Sequence, residues 1–490
     1  MTYRCGVDRN QVMLLAERVE DYVGADNPVR AVDAFIEGLD LPSLGFTLRA
    51  VGALGAAEYD PRAMLKLYLY GYLNRLRSSR ELEKATRRNL EVIWLLRQLK
   101  PDHWTINAFR RAHRARFKAV FRQFHLVCAG LGLFGAELVA VDGTFLKAVN
   151  NPQDNFTQAK VQKLLEQIDT RSEAYLQELE TLDREAAAQS LAEGGTRRDQ
   201  TQEAQRLQQK LAAMEQQQTQ CRELLAAMET SPTGQVSLND PDARSLDKGS
   251  QRTVGYNAQI AVDAAHHLIV AEEVTQEPND SALLVPMTGA AKEALGVAQI
   301  KVVADRGYYS HEQMSQCAKQ GIETYVPRPA TKQAGTGNYP LERFSYDAKE
   351  DHFVCLQGRT LTRHEDSCKG GHWYRVYYAG KAACRDCPVR AQCTQGQYRK
   401  LTVLVEEKVI AAVQARLREH PQIYAQRRNL VEHPFGTMKF WQGYHHFLTK
   451  GLERVRAEFT LSCLAYNFRR VLNVLGVRSL LKGLVKTVPT

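Results

Sequence analysis

The spacing of apolar and polar positions changes several times along the chain, and each change marks a different kind of element. The first 60 residues are mixed and predict little. At "YDPRAMLKLYLYGYLNRL" Asp60 is a natural N-cap and Pro61 takes the first helical position, so a helix starts there. Ser78, Ser79, Arg80 and Glu81 have capping-box spacing and open a second helix. "DHWTINAFRRAHRARFKAVF" opens another near Thr105. At "AELVAVDGTFLKA" (136–148) the pattern becomes a short β-branched run ending in Asp142 and Gly143. This predicts a buried strand that delivers a carboxylate at its end.

From 157 to about 229 the chain is rich in Gln, Glu, Ala, Leu and Arg. Val161, Leu165, Ile168, Tyr175, Leu179, Leu182 and Ala186 follow alternating three- and four-residue steps, with Ser172 in one slot. Beyond Gly194-Gly195, Leu207, Leu211, Met214, Cys221, Leu225 and Met228 do the same, with Gln218 in the remaining slot. A seam of period 3.5 on each arm predicts an antiparallel helical hairpin turning at the two glycines. Cys221 then belongs to the seam. The hairpin reads equally as an arm for dimerisation or DNA and as a spacer packed on itself.

Strand signals return at 254–263 and 267–276, joined by a turn around Ala264–His266, and a helix is expected over 280–294. "QIKVVADRGYYS" predicts a second buried strand ending in a carboxylate, Asp305, followed closely by Gly307. "HEQMSQCAKQG" reads as a helix closed by Gly321, and "ETYVPRP" as a further short strand. Residues 340–400 hold short strand-like pieces. From 403 the pattern is helical, with Pro434 interrupting it just after Glu432.

Composition adds a polyanionic partner. Between 61 and 125 sixteen Lys/Arg face four acids, an excess of 12 where the entire chain carries +10. Arg110, Arg111, Arg114 and Lys118 fall at helical spacing within it, so the region predicts a basic, all-helical DNA-binding module, with a solvated helical face as the plain alternative. The N-terminus has no apolar core of a signal peptide, and no run approaches the roughly 20 apolar residues of a membrane span. A cytoplasmic protein is expected. Of ten cysteines, five lie between 355 and 393. Cys384, Cys387 and Cys393 form a C-x2-C-x5-C array, which with a fourth ligand would suit structural zinc. Cys355 is the first candidate for that ligand, with Cys368, His364 and His372 as rivals. Reduced, partly buried thiols are the alternative.

Asp142 and Asp305 at the ends of apolar strands, and Glu432 in a basic helical stretch, stand out among the acids. Strand ends project into the crevice where active sites form, and converging carboxylates suit hard cations such as Mg²⁺. An Asp before Gly is also a common turn residue, and Glu432 has Arg428 one helical turn away. The order of these residues, with "AVDGTFLKA", "GYNAQIAVD", "VVADRGYYS" and "RRNLVEHPFGTMKFW…GLERVRAEFTLSCLAYNFRRVL", resembles the DDE transposases of bacterial insertion sequences. "YDPRAMLKLYLYGYLNRLRSSRELEKATRRN" resembles the N-terminal helical region of one branch. The likeness covers about 60–330 and 400–475. In one branch the glutamate sits in a Tyr-x2-Arg-x3-Glu-x6-Lys signature. Arg428, Glu432 and Lys439 fit it, whereas Tyr424 is spaced for Arg427 instead.

The resemblance implies an RNase H-like mixed sheet flanked by helices, hence an α+β fold. It implies that Asp142, Asp305 and Glu432 bind Mg²⁺ or Mn²⁺, and that Arg427 or Arg428, with Lys439, holds DNA phosphates. It further implies cleavage of transposon ends and joining of the 3′-OH to target DNA. The partners would be duplex terminal inverted repeats and target DNA, engaged by a homodimer. Some relatives use an aromatic to hold a flipped base; Tyr308, Tyr309 and Trp441 are eligible, and none is assigned. The expected organisation is a helical DNA-binding region (1–130), a core begun at 131–155 and resumed at 231–335, and a helical hairpin at 156–230. A Cys-containing insertion (336–402) and the glutamate helix with C-terminal helices (403–490) complete it. Two rivals stand beside transposition: a catalytically silent DNA-binding descendant, and a metal-dependent nuclease that cuts without joining.

Overall fold

The computed structural model describes residues 18–46, 59–150, 155–190, 197–229, 234–248, 251–329, 339–347, 350–369, 372–404 and 407–487. It is a mixed α+β structure with a six-stranded mixed sheet and a separate five-stranded antiparallel sheet. Among the described residues no helix is long and apolar enough to cross a membrane.

The N-terminal helices start where their caps dictate. Asn27 caps α1 (Pro28–Glu37), Asp60 caps α2 (Pro61–Leu73), and Ser78 and Glu81 form both bonds of a capping box on α3 (Ser79–Arg88). After α4 (Leu90–Leu95), α5 (His103–His113) begins two residues earlier than Thr105. Asp102 is its cap, accepting from Thr105 N at 2.7 Å. Then comes α6 (Phe117–Gly130). Almost all of α2 is buried.

Strand β1 (Leu138–Lys147) does not end at Asp142. Next along the chain come β2 (Asn155–Thr157), α7 (Gln158–Ser190), α8 (Arg197–Glu229), β3 (Gln235–Ser237), β4 (Arg244–Lys248) and β5 (Gln251–Asp263). Antiparallel pairing with β5, from Val139↔Asp263 to Lys147↔Gly255, carries β1 through Gly143. Gly143 is therefore a strand residue. A Cβ there would collide with the side-chain amide of Gln259, so the position needs glycine for room rather than for a turn.

Helices α7 and α8 pack antiparallel, with Val161, Ile168, Cys221 and Met228 buried between them. Both polar slots of the seam are used: Ser172 Oγ meets Met214 Sδ at 3.5 Å, and Gln218 donates to Asp169. At the base β2 and β3 pair antiparallel. The turn expected at Gly194-Gly195 lies outside the described residues.

The main sheet continues with β6 (Ile269–Thr275), α9 (Leu284–Leu295), β7 (Ile300–Ala304), α10 (His311–Lys319) and β8 (Ile322–Tyr325). Strand β5 carries β4, β6 and β1, all antiparallel to it; β1, β7 and β8 follow in that order, parallel. The second sheet holds β9 (Ser345–Asp347), β10 (His352–Val354), β11 (Thr360–Lys369), β12 (His372–Tyr378) and β13 (Lys400–Leu404). Short α11 (Lys381–Arg385) and α12 (Arg390–Cys393) sit between the last two strands. Strand β13 runs on to Leu404, so the helical stretch the sequence pattern predicts from 403 starts a few residues later. Next are α13 (Glu407–Glu419), α14 (Pro421–Gly436), α15 (Leu452–Leu475) and α16 (Val477–Thr487).

Pro434 does not interrupt α14; the helix runs on to Gly436 and then widens into a π-helical turn, Thr437–Trp441. Proline deprives the Leu430 carbonyl of its i+4 donor, and a change of hydrogen-bond step just downstream lets the backbone continue.

Helix α15 joins both ends of the chain in one core. Its buried face packs on α2, α6 and β6. Within it Arg77 and Glu458 form a buried ion pair at 2.8 Å, with side chains 6% and 0% exposed. Glu458 also accepts from Leu448 N, Thr449 N and Thr449 Oγ1; Arg77 donates to the carbonyls of Gly443 and His446 and lies 4.1 Å over the Tyr444 ring. Nearby on β6, Glu272 is buried and accepts from Thr460 Oγ1 at 2.9 Å. Burial pushes its carboxyl up to about 7, against the pull of Lys118 and the Thr460 bond.

The buried acids of this core set its response to mutation and pH. Glu458→Gln leaves Arg77 buried without a counter-charge and should cost roughly 3–5 kcal/mol in urea unfolding. Arg478→Ala, which removes an exposed pair with Asp26, should barely move the midpoint. The folded carboxyl of Glu272 lies above its ordinary 4.5, so its contribution is fully present below that pH and lost as pH rises through about 7. Glu272→Gln should therefore match wild type near pH 4.5 and exceed it at pH 8; parallel stability curves would refute the assignment.

Candidate active site

The register of β1 and β7 controls where the two aspartates meet. Their last paired residues are Val141 and Ala304, and Asp142 and Asp305 come next on each strand. Parallel neighbours lie about 4.8 Å apart, so the two carboxylates leave the sheet side by side. Side chains of β1 alternate between faces. Val139 and Val141 enter the core with residues of α9, α10 and α13, whereas Ala140 lies with Val303 and Tyr325 beneath Leu430 and Val431 of α14. Asp142, two residues after Ala140, shares the α14 face. Glu432 follows Val431 on the helix that covers that face, its side chain 61% exposed.

Each aspartate is oriented by backbone. Gly143 N donates to Asp142 Oδ1 at 2.9 Å, and Gly307 N to Asp305 Oδ1 at 2.8 Å, the latter capping a 3-10 turn, Arg306–Tyr308. Arginines lie against two of the three acids, Asp142 and Glu432. Arg427 Nη1 lies 3.4 Å from Asp142 Oδ2, tying α14 to β1, and Arg428 Nε donates to Glu432 Oε1 at 2.8 Å. The ordinary turn-to-turn pair allowed by the sequence is therefore present. Lys439 Nζ donates to Thr144 Oγ1 at 2.7 Å, two residues beyond Asp142. Tyr424 packs with Tyr325 and Leu430 beneath α14.

The set is all oxygen, the chemistry a hard cation takes. Among the described residues, however, no three His, Cys, Asp or Glu side chains are grouped closely enough to hold a metal ion as they stand. Glu432 is turned to Arg428.

A fourth carboxylate, Asp280, reaches this end of the sheet, and nothing in the sequence separates it from a helix-leading Asp. Its Oδ1 accepts from Asn257 Nδ2 at 2.8 Å and Gln259 Nε2 at 2.7 Å. A Cβ on Gly307 would lie 3.5 Å from its Oδ2. Gln259 also accepts from the buried Tyr308 hydroxyl, whose pKa rises through burial and then through Asp280, Asp142 and Asp305. Tyr308 is thereby a packing residue. Tyr309 accepts from Arg328 at 3.1 Å, while Trp441 is 55% exposed on the π turn, its carbonyl held by Arg75.

The other expected contacts separate by burial. Arg111 and Arg114 are exposed; Arg110 is half-buried, its guanidinium 5.9 Å from the Tyr68 ring centroid. Cys355, Cys384, Cys387 and Cys393 line one cavity of about 30 Å³. Burial raises the Cys393 thiol pKa, and the three neighbouring thiols add to that. Of the rivals, Cys368 is exposed on β11 and His364 stacks on Tyr378, with ring centroids 3.6 Å apart.

Comparison with known proteins bears on both ends of the chain. Residues 354–472 match a family described as a transposase DDE domain, and residues 17–112 match a transposase domain (DUF772). The first match contains Glu432; Asp142 and Asp305 lie outside both. No curated protein matches. A solved piggyBac transposase synaptic complex with hairpin DNA aligns over 95% of this chain and 80% of its own, at 8% identity and a TM-score of 0.32. Both family models describe transposase domains, and the two matches support a DDE transposase of an insertion sequence.

Proposed function

We propose that this transposase has an RNase H-like core, cuts DNA at the ends of its element and joins the freed 3′-OH to target DNA. Asp142, Asp305 and Glu432 are its metal-binding carboxylates. The observation that carries this is the shared register: Asp142 and Asp305 follow the last β1–β7 pair, with Glu432 on the helix laid across the same strands. The strand order β6-β5-β1-β7-β8, antiparallel then parallel, supports the core assignment. When bound, Mg²⁺ or Mn²⁺ would activate water or a 3′-OH and neutralise charge on the phosphate. Arg427 and Arg428 hold the carboxylates in the present state. Once those acids have another counter-charge, the same guanidinium forks suit the phosphate oxygens of the strand being cut. Lys439, anchored on Thr144, adds charge at the same end of β1. Joining two inverted repeats to one target calls for a dimer on duplex DNA, acting in the cytoplasm.

The decisive experiment incubates protein, Mg²⁺, labelled terminal repeats and a target plasmid. Joined products support transposition, cuts alone support a nuclease, and shifted but uncut DNA supports a silent binder. Glu432→Gln should lower cleavage by at least about 100-fold, because a lost charge-stabilising ligand is worth several kcal/mol. DNA binding should stay within about 2-fold of wild type. Cutting at wild-type rate by this variant would remove Glu432 from the site.

We also propose that Cys355, Cys384, Cys387 and Cys393 take a structural zinc. Their common cavity supports this; ligation would draw the thiols together and release their protons. Purified protein should then carry one zinc per chain, depleted in Cys387→Ser. Wild type free of zinc after expression in zinc-supplemented medium would end that reading.

A further inference from the structure

The basic excess of 61–125 is not one surface, because the fold neutralises much of it. Lys66 is locked between Asp33 and Glu37, each at 2.5 Å; Arg77 is buried on Glu458; Lys118 and Arg122 sit on Glu273 and Glu293. These cations hold the protein together. A different group gathers in a groove of about 290 Å³ between α5, with the turn after it, and the segment leading into α15. Arg110, Arg111 and Arg114 line one wall and Lys450 and Arg454 the other, with Asn107 and Thr449 between them. None of the five cations forms an ion pair among the described residues, and no acid lines the groove.

The acids nearby are already engaged. Asp240 and Asp242 accept from the amides of Gly451 and Leu452, Glu453 pairs with Arg456, and Glu458 is enclosed by Arg77 and the 448–449 backbone. Arg110 lies partly toward the core, with Tyr68, Tyr72 and Glu458 as electrostatic neighbours, and donates Nη2 to Asn107 Oδ1 at 3.3 Å. Five positive side chains on two walls, with polar groups between them, match successive phosphates of a DNA backbone. An apolar ligand or a single small anion would leave most of this charge unanswered, whereas a DNA strand brings one negative charge per nucleotide.

We infer that this groove is a phosphodiester-binding subsite for the backbone of duplex DNA, built jointly from residues 107–114 and 449–454. It rests on the reading that the chain acts on DNA, and it is separate from the carboxylates: it grips phosphate and needs no metal. Because Thr449 is held by the buried Glu458, the second wall is fixed before DNA arrives. The two chain ends therefore grip one strand together, and neither wall alone completes the site.

The test uses the full chain, EDTA and a fluorescein-labelled 30-bp duplex of arbitrary sequence, with anisotropy read between 50 and 200 mM NaCl. The variants are Arg111→Glu/Arg114→Glu, Lys450→Glu/Arg454→Glu and their combination, with circular dichroism to verify folding. Lys84→Glu/Arg88→Glu on exposed α3 is the control. Each groove pair should weaken binding by about 10-fold or more and flatten the salt slope by about 0.9 for every phosphate the variant no longer holds. The combination should cost less than the two pairs summed, because either alone opens the shared site. The control should fall within about 3-fold of wild type. Groove pairs no worse than the control, or effects that simply add, would overturn the subsite. Wild type that fails to bind any duplex would instead overturn the DNA reading itself.

Discussion

Arg77 and Glu458 are far apart in sequence, and their contact removes two full charges from water. Such a pair is tolerated when most of the remaining donors and acceptors find partners, and here Arg77 Nε alone of the two groups goes without one. Here the carboxylate takes two backbone amides and a hydroxyl, while the guanidinium takes two carbonyls and a tyrosine face. All these partners come from residues 443–449, so satisfying the pair imposes a conformation on that loop. The loop in turn reaches the sheet: Phe447 N donates to Lys147 O, and His446 bridges to the same strand end. The far half of β1 is thus held by β5 on one side and by a loop that the buried ion pair has shaped.

The carboxylate centre hangs on this frame. The chain from Glu432 through the ion-pair loop touches β1 twice, through Lys439 on Thr144 and through Phe447 on Lys147. Asp142 and Glu432 are compensated locally by Arg427 and Arg428, while Asp305 is held by the Gly307 amide and Asp280 by Asn257 and Gln259. Each arginine is a partner that an incoming phosphate can compete for. Tight positioning of backbone with loose, exchangeable side-chain pairing is the arrangement expected where ligands must enter.

Much of this is legible in the sequence because caps and periodicity are local signals. Asp60 and Ser78 start their helices through bonds spanning two or three residues, and the 3.5-residue seam names the residues buried between α7 and α8. The departures share a cause. Asp142-Gly143 reads as a strand end because glycine ordinarily breaks strands; here Gln259, more than a hundred residues on, needs the space a Cβ would fill. Pro434 reads as a stop because the π turn that rescues the helix has no sequence signature. Asp280 cannot be singled out at all, since only the fold brings Asn257 and Gln259 to it. Likewise the number of basic residues does not distinguish Arg77, buried as a structural charge, from Arg111 on the surface.

The small β2–β3 pairing at the base of the long helices bears on how the sheet can form in time. Strands β1 and β5 lie side by side, yet about a hundred residues separate Lys147 from Gln251. Searching for that pairing through an open chain would be slow, since non-local contacts carry the entropy of closing the intervening loop. The helical arms contact mainly each other and can zip from local interactions. Once they do, Phe156 and Val236 are neighbours and the loop left to close shrinks to about twenty residues. By the logarithmic dependence of closure on length, that shortening saves about 1.5 kcal/mol, roughly a tenfold gain in the chance of encounter. Whatever else it contacts, the hairpin is a kinetic shortcut written into the chain between the two strands that must find each other.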